Sequence, residues 1–251
     1  MTTPPPDRPP RKQRPQITLS VESTQWLTPH LVRVVANGPG MADFTDNGAS
    51  DKYVKIRFGD VTRTYTVRWA EAERLAIDFV VHGDEGLAGP WAANAKPGDT
   101  LTFSGPGGGY FPDPEADWHL FAGDASALPA IGAALEALPA DAAGLAFLVV
   151  EDESEVIDLA APHGVRLKWL LHAPPGSDPA LLAAAIDAAD WLPGRTQVFA
   201  HGERESMKAI RAVVKERGVP REDLSLSGYW AYGRNEDRFQ AEKRDPIGKI
   251  D

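Results

Sequence analysis

The sequence predicts a β plus α/β chain of two domains, an N-terminal antiparallel β-barrel followed by a C-terminal α/β domain with a parallel sheet. Three observations carry that prediction. Between Gln16 and Phe111, apolar residues recur at every second position in short runs punctuated by glycine and proline. Beyond about residue 117, short apolar runs instead alternate with alanine-rich or amphipathic helical ones. The 251 residues, 43% of them hydrophobic, suffice for two cores of ordinary size. The expected divisions are a disordered proline-rich tail over 1–15, the barrel over 16–112, the α/β domain over 117–235 and a C-terminal helix or tail over 236–251. "PDPEAD" forms the junction, and no internal repeat is visible.

The tail joins prolines to Arg8, Arg11, Lys12 and Arg14 and has too little apolar surface to offset its ordering entropy. The barrel strands read as "QITLSVEST", "LVRVVAN", "DKYVKIRFG", "VTRTYTVRW", "RLAIDFVVHG" and "DTLTFSG", with "NGPG", "KPGD" and "GPGGG" as turns and a short helix around "GLAGPWAANA". In the second half "WHLFAG" is a strand. The following "LPAIGAALEAL" is a helix whose Pro129 suits a first turn. "GLAFLVVED" and "VRLKWLLH" are buried strands, "PALLAAAIDAA" a helix and "TQVFAHG" a strand. "ERESMKAIRAVVKERG" is an amphipathic helix stopped at Gly218, and "RNEDRFQAEKR" a helix of mixed charge. Alternation of this kind implies parallel pairing through right-handed crossovers.

Composition excludes several chemistries. Without cysteine the chain has no disulfide, thiolate metal site, iron–sulfur cluster or cysteine nucleophile of its own, which fits a cytoplasmic location. No run reaches the roughly 20 apolar residues of a membrane helix, and "MTTPPPDRPPRKQRP" lacks the apolar centre of a signal peptide, so no membrane insertion is expected. A formal charge of −10 argues against a nucleic-acid partner. The histidines show no ligand spacing, so no protein-bound metal is expected. Gly-x-Ser-x-Gly is absent, and "EDESE" reads as a solvated loop. The chain is expected to act as a monomer.

Within "RTYTVRW", Arg63 and Tyr65 share one strand face while Thr66 points to the other. A guanidinium can hold a phosphate through two hydrogen bonds, and a neighbouring phenol ring offers a flat surface for an aromatic ligand. An ordinary exposed strand would look the same. The glycines of "SGPGGGYFP" do not open a helix, so they read either as a loop admitting close backbone approach or as a plain tight turn. "FAGDASALPAIGAAL" leaves a strand and enters a helix N-terminus, where unpaired N–H groups favour a phosphate.

The order of barrel, Arg-x-Tyr-Thr and α/β domain resembles the ferredoxin reductase-like flavoproteins, and more fully the siderophore-interacting protein family of FAD-dependent ferric-siderophore reductases. That resemblance rests on "YVKIRF", "RTYT", "DFVVHGDEGLAGPWAANAKPGD", "FAGDASALPAI", "FAHGERESMKAIR" and "SGYWAYGRNEDRFQAEKRD", in this order. It implies an FAD-binding barrel and an NAD(P)-binding α/β domain. Arg63 would meet the FAD pyrophosphate, Tyr65 would lie against the isoalloxazine and Thr66 would bond the flavin edge. His82 with Gly86, Ala88, Gly89 and Trp91 would form a second FAD segment, although a serine common at the position of Gly89 is missing. Asp124, Ala127 and Pro129 would form the NAD(P)H pyrophosphate loop, except that the Asp124 carboxylate repels phosphate and reads equally as a turn or cap residue. His201 and Glu203 would hold a ribose and Arg204 a 2′-phosphate, or all three begin a solvated helix. Tyr229, Trp230 and Tyr232 would cover the other flavin face or line a cleft, unless the segment merely packs.

The implied activity passes electrons from NADPH, NADH or ferredoxin through FAD to a ferric siderophore. No side chain acts as a catalytic group. Lys55, Lys243 and Arg244 would form a basic cleft for the anionic chelate. Two other readings remain: a general flavin or ferredoxin-type reductase, and a non-catalytic siderophore-binding protein.

Overall fold

The structure is a computed structural model that describes residues 15–82 and 86–250, so the expected tail lies outside the described residues except for Pro15. Strands β1 (Ile17–Thr28), β2 (Leu31–Asn37), β3 (Tyr53–Phe58), β4 (Val61–Ala70), β5 (Arg74–Val80) and β6 (Thr100–Gly107) close into an antiparallel barrel. Its order is β1-β2-β5-β4-β3-β6. Period-two patterning sets which side chains enter. Ile17, Leu19 and Val21 of β1 point inward, and across the barrel they join Val54, Ile56, Leu75, Ile77, Phe79, Leu101 and Phe103. Each such side chain taken fully out of water contributes roughly 1.5–3 kcal/mol.

A short helix, α1 (Ala88–Asn94), lies beside β2 and β5. Its Trp91 ring stands 5.7 Å from the rings of both Phe58 and Phe79. Gly89 faces the end of β5 so closely that a β-carbon there would lie 3.2 Å from the Val80 carbonyl oxygen. The helix can therefore rest directly on the strand.

The second half builds one parallel sheet from β7 (Trp118–Asp124), β8 (Ala143–Val150), β9 (Gly164–Leu171), β10 (Thr196–Glu203) and β11 (Leu224–Trp230), in the order β11-β10-β7-β8-β9. Helices α2 (Leu128–Glu136), α3 (Leu181–Asp187) and α4 (Arg204–Glu216) cover it, and two apolar clusters form around the sheet. Every residue of the central β7 is buried, as a strand covered on both faces requires. The chain order turns back between β7 and β10, so the crevice at their carboxyl ends is the switch point of the sheet.

Two elements differ from expectation. β11 is a strand that "LSLSGYW" does not advertise, because its hydroxyl residues are half-buried at the sheet edge instead of following an apolar run. The last helix, α5 (Glu236–Glu242), is shorter than "RNEDRFQAEKR". Asn235 caps it by accepting from the Arg238 N–H, and Pro246 follows its end closely.

Barrel and sheet are joined by polar as well as apolar contacts. Arg68 of β4 reaches Glu136 of α2 through two hydrogen bonds of 2.5 and 2.9 Å, crossing at Gly132. Thr28 Oγ1 donates to Glu155 at 2.6 Å, and His30 Nδ1 lies 2.8 Å from the same carboxylate. The Tyr110 ring rests 4.6 Å from that of Phe199, and its hydroxyl donates to Gln197.

Candidate functional site

The β3–β4 ribbon places its residues by register. Tyr65 is opposite Val54 and Arg63 opposite Ile56, so both share the inward face, whereas Lys55 is opposite Thr64 on the outward one. Tyr65 lies 4.4 Å from the Phe79 ring. Burial first, then the negative charge of Glu236, pushes its phenol up to about 12, so it remains protonated at neutral pH. Thr66 is buried and sits opposite Tyr53.

Arg63 is only lightly engaged. Its guanidinium donates to the Thr62 carbonyl at 3.2 Å and pairs at 3.1 Å with Asp237, whose side chain is 77% exposed. The carboxylate comes from the first turn of α5, which thus lies over the ribbon. The far end of that helix is fixed more firmly. Glu242 accepts from Arg204, Arg234 and Arg238 at 2.8, 2.9 and 3.0 Å. These guanidinium bonds, that of Arg204 foremost, hold its carboxyl at about 2. Phe239 is buried beneath, with the Lys243 ammonium 4.6 Å from its ring centre.

Lys243 and Lys55 are close enough to influence each other. Partial desolvation and then the charge of Lys55 push Lys243 below its ordinary value, against the opposing pull of Glu236. Arg244 follows Lys243 in sequence and is exposed. Lys55 stands on the outer face of the ribbon, opposite the face that carries Arg63 and Tyr65.

In the second barrel segment His82 and Gly86 are exposed, Trp91 is half-buried, and Ala88 and Gly89 are buried. His82 is held below its usual value by desolvation, with the His30 charge adding to the shift. Gly86 has φ +82 and, among the described residues, no neighbour within 4 Å of a would-be β-carbon, so its backbone presents an open face to them. The glycine cluster after β6 behaves differently. A β-carbon on Gly107 would fall 2.4 Å from the Tyr53 ring, and one on Gly108 2.8 Å from the Asp51 carbonyl. Asp51 accepts from the N–H groups of Gly109 and Tyr110, both at 2.8 Å. These glycines let the loop lie directly on β3.

At the switch point the side chains are already occupied. Asp124 is buried and accepts four hydrogen bonds: from the Ser126 N–H and hydroxyl, the Glu203 N–H and the Trp230 indole N–H. Burial raises its carboxyl while those donors pull it back. Gly202 at φ +147 makes room, since a β-carbon would fall 2.5 Å from Asp124 Oδ2. Glu203 caps α4 through the Ser206 N–H and also receives the Tyr232 N–H. Ala127, fully buried, precedes Pro129 in the first turn of α2.

The residues expected against a ribose and its phosphate are committed elsewhere. His201 is buried, with Nδ1 2.9 Å from the Tyr229 hydroxyl and Nε2 3.0 Å from Ser225 Oγ, and burial lowers its pKa to about 3. Arg204 has a side chain 4% exposed and pairs with Glu205 and Glu242, so it offers no free guanidinium for a 2′-phosphate. Trp230 lies over Gly176, where a β-carbon would meet its ring at 2.5 Å. Tyr229 reaches toward the barrel, since the Thr66 side chain bears on its phenol. Burial fixes all of these roles, and sequence pattern carries no signal for it. Asp237 and Glu242 were likewise missed, because their partners lie far away in the chain. Among the described residues, no group of histidine and acidic side chains could hold a metal ion, and no helix is long and apolar enough to cross a membrane.

A closed six-stranded barrel followed by a parallel sheet with helices is the ferredoxin reductase-like architecture. Residues 59–110 match the siderophore-interacting FAD-binding domain, and residues 116–233 match the siderophore-interacting protein family. The ferric vibriobactin reductase ViuB of Vibrio cholerae is 36% identical over 87% of this chain and 90% of its own length. The NADPH-dependent ferric-chelate reductase of Escherichia coli is 30% identical over 84% and 91%. The crystal structure of the siderophore-interacting protein SipS from Aeromonas hydrophila superposes with a TM-score of 0.83 at 30% identity, covering 94% of this chain and 99% of that one. The chain belongs to the siderophore-interacting protein family.

Proposed function

We propose that this protein is an FAD-dependent ferric-siderophore reductase, drawing electrons from NAD(P)H or ferredoxin and releasing ferrous iron for assimilation. The observation that carries this reading is Arg63 and Tyr65 on one face of β4, beside Thr66, within the stretch that matches the siderophore-interacting FAD-binding domain. The names of ViuB and of the Escherichia coli reductase support it.

The residues present fit the cofactor. Among the described residues Arg63 has a single exposed carboxylate as its ion-pair partner, so its planar fork can turn to a pyrophosphate without stranding a buried charge. Tyr65 offers a protonated, packed ring, Thr66 a hydroxyl, and Gly86 an open backbone. His82, Ala88, Gly89 and Trp91 complete the second FAD segment. At Gly89 the contact falls to the backbone. FAD, when bound, supplies what no side chain here offers, since it accepts electrons in pairs and releases them singly.

The substrate is a ferric ion surrounded by hard oxygen donors, and one-electron reduction to the softer ferrous ion weakens that grip. Lys55, Lys243 and Arg244 concentrate the anionic chelate on a chain whose formal charge is −10. The electron donor approaches the switch point near Asp124, Ala127 and Pro129. With His201, Glu203 and Arg204 engaged internally, its contacts there fall mainly on backbone. Tyr229 and Trp230 lie between the barrel and the crevice and border the flavin site.

The test is anaerobic spectroscopy with NADH, NADPH and reduced ferredoxin in turn, a ferric siderophore and a ferrous trap. Bleaching of the flavin band followed by trapped ferrous iron is expected. Bleaching without iron release would select a general reductase, and chelate binding without bleaching a carrier.

A further inference from the structure

The group that Arg63 holds in this structure is a carboxylate of the chain itself. Asp237 stands in the first turn of α5, 3.1 Å from Nη1, on the residue assigned above to the cofactor's phosphates. The last turn of α5 is fixed by the buried Phe239 and by Glu242, which accepts from Arg204 of α4 and, from the helix's own start, from Arg234 and Arg238. The first turn has the Asn235 cap, an exposed Gln240–Glu236 hydrogen bond and the Arg63 pair. Asp237 can therefore swing into solvent while the helix stays anchored.

We propose that Asp237 is an internal competitor for the cofactor's phosphates at Arg63, so that loading the flavin dinucleotide displaces this carboxylate. The inference rests on the reading of Arg63 as a phosphate ligand. Its physical basis is simple. A guanidinium bound edge-on to a carboxylate has fewer donors left for a bidentate phosphate contact, and two anions on one cation repel each other. Because Asp237 is largely exposed, the competition is mild: it lowers cofactor affinity without blocking it.

The test is titration of flavin-stripped, refolded protein with three probes: FAD, ADP, which carries the pyrophosphate without the flavin, and riboflavin, which carries the ring without phosphate. Asp237→Asn should bind FAD and ADP about two- to fivefold more tightly than the wild type, the range expected for removing an exposed ion pair. Riboflavin affinity should not change. Glu236→Gln removes a carboxylate from the same turn while leaving the Arg63 pair intact, and should give a smaller gain. If Asp237→Asn binds FAD with unchanged or weaker affinity, the carboxylate orients Arg63 instead of competing, and the proposal is overturned. An equal gain with riboflavin would also overturn it, because the effect would not be at the phosphate. Wild-type protein that takes up no FAD would remove the cofactor reading and this inference with it, whereas equal FAD affinities in wild type and variant remove the inference alone.

Discussion

The β3–β4 ribbon and the crevice at the ends of β7 and β10 both carry charged side chains, yet they use them in opposite ways. On the ribbon, Arg63 pairs with one exposed carboxylate and Lys55 projects outward. At the crevice, Asp124 accepts four hydrogen bonds, Glu203 two, and Arg204 is enclosed by Glu205 and Glu242. A charge with one exposed partner is available to a ligand, whereas a buried charge with every donor or acceptor satisfied belongs to the fold. The proposed cofactor contacts are therefore concentrated on the barrel, while the side chains at the crevice mainly hold the fold together.

The largest effect expected from this contrast is on stability. Asp124→Ala would strand the Trp230 indole N–H and the Glu203 N–H, each worth about 1–3 kcal/mol when buried without a partner, for a total of about 3 kcal/mol or more. Denaturant unfolding measures it. A loss below about 1 kcal/mol would mean that the crevice is not the tied structure described.

A second difference appears with acid. His201 is held at about 3 in the fold against 6.5 in an unfolded chain, so the unfolded state binds more protons between those values. Stability from this group is unaffected above pH 6.5 and falls as pH drops toward 3, by up to about 1.4 kcal/mol per pH unit. His201→Asn should flatten that slope. An unchanged slope would show that the ring is not the buried neutral group bridging Tyr229 and Ser225.

The smallest effect concerns the chelate. Replacing both Lys55 and Lys243 by Gln should raise the half-saturating ferric-chelate concentration several-fold and reduce its salt dependence, with little change in stability. Identical kinetics would place the substrate elsewhere.

Much of this contrast was legible in the sequence, and the remainder for physical reasons was not. Period-two alternation placed the barrel strands, and the shared face of Arg63 and Tyr65 followed from strand geometry alone. The alternation of strand and helix gave the parallel sheet. What sequence could not supply was burial and partnership. His201 and Arg204 look like ordinary polar residues at a helix start, and only the packed fold reveals them as enclosed. The Arg63–Asp237 pair joins positions 174 apart (237 − 63), beyond any local pattern. The glycines of "GPGGG" announced close approach, but that the approach is to Tyr53 and Asp51 required the register of β3 and β6.

The central claim is that Arg63 serves a ligand and Asp124 serves the fold, and one variant tests it most directly. Purified Arg63→Ala should unfold within about 1 kcal/mol of the wild type, since it loses an ion pair with an exposed partner and one exposed hydrogen bond to the neighbouring Thr62 carbonyl. It should nevertheless emerge without its yellow cofactor while the wild type retains it. Full flavin occupancy in Arg63→Ala, or a colourless wild type that takes up no added FAD, would contradict the account.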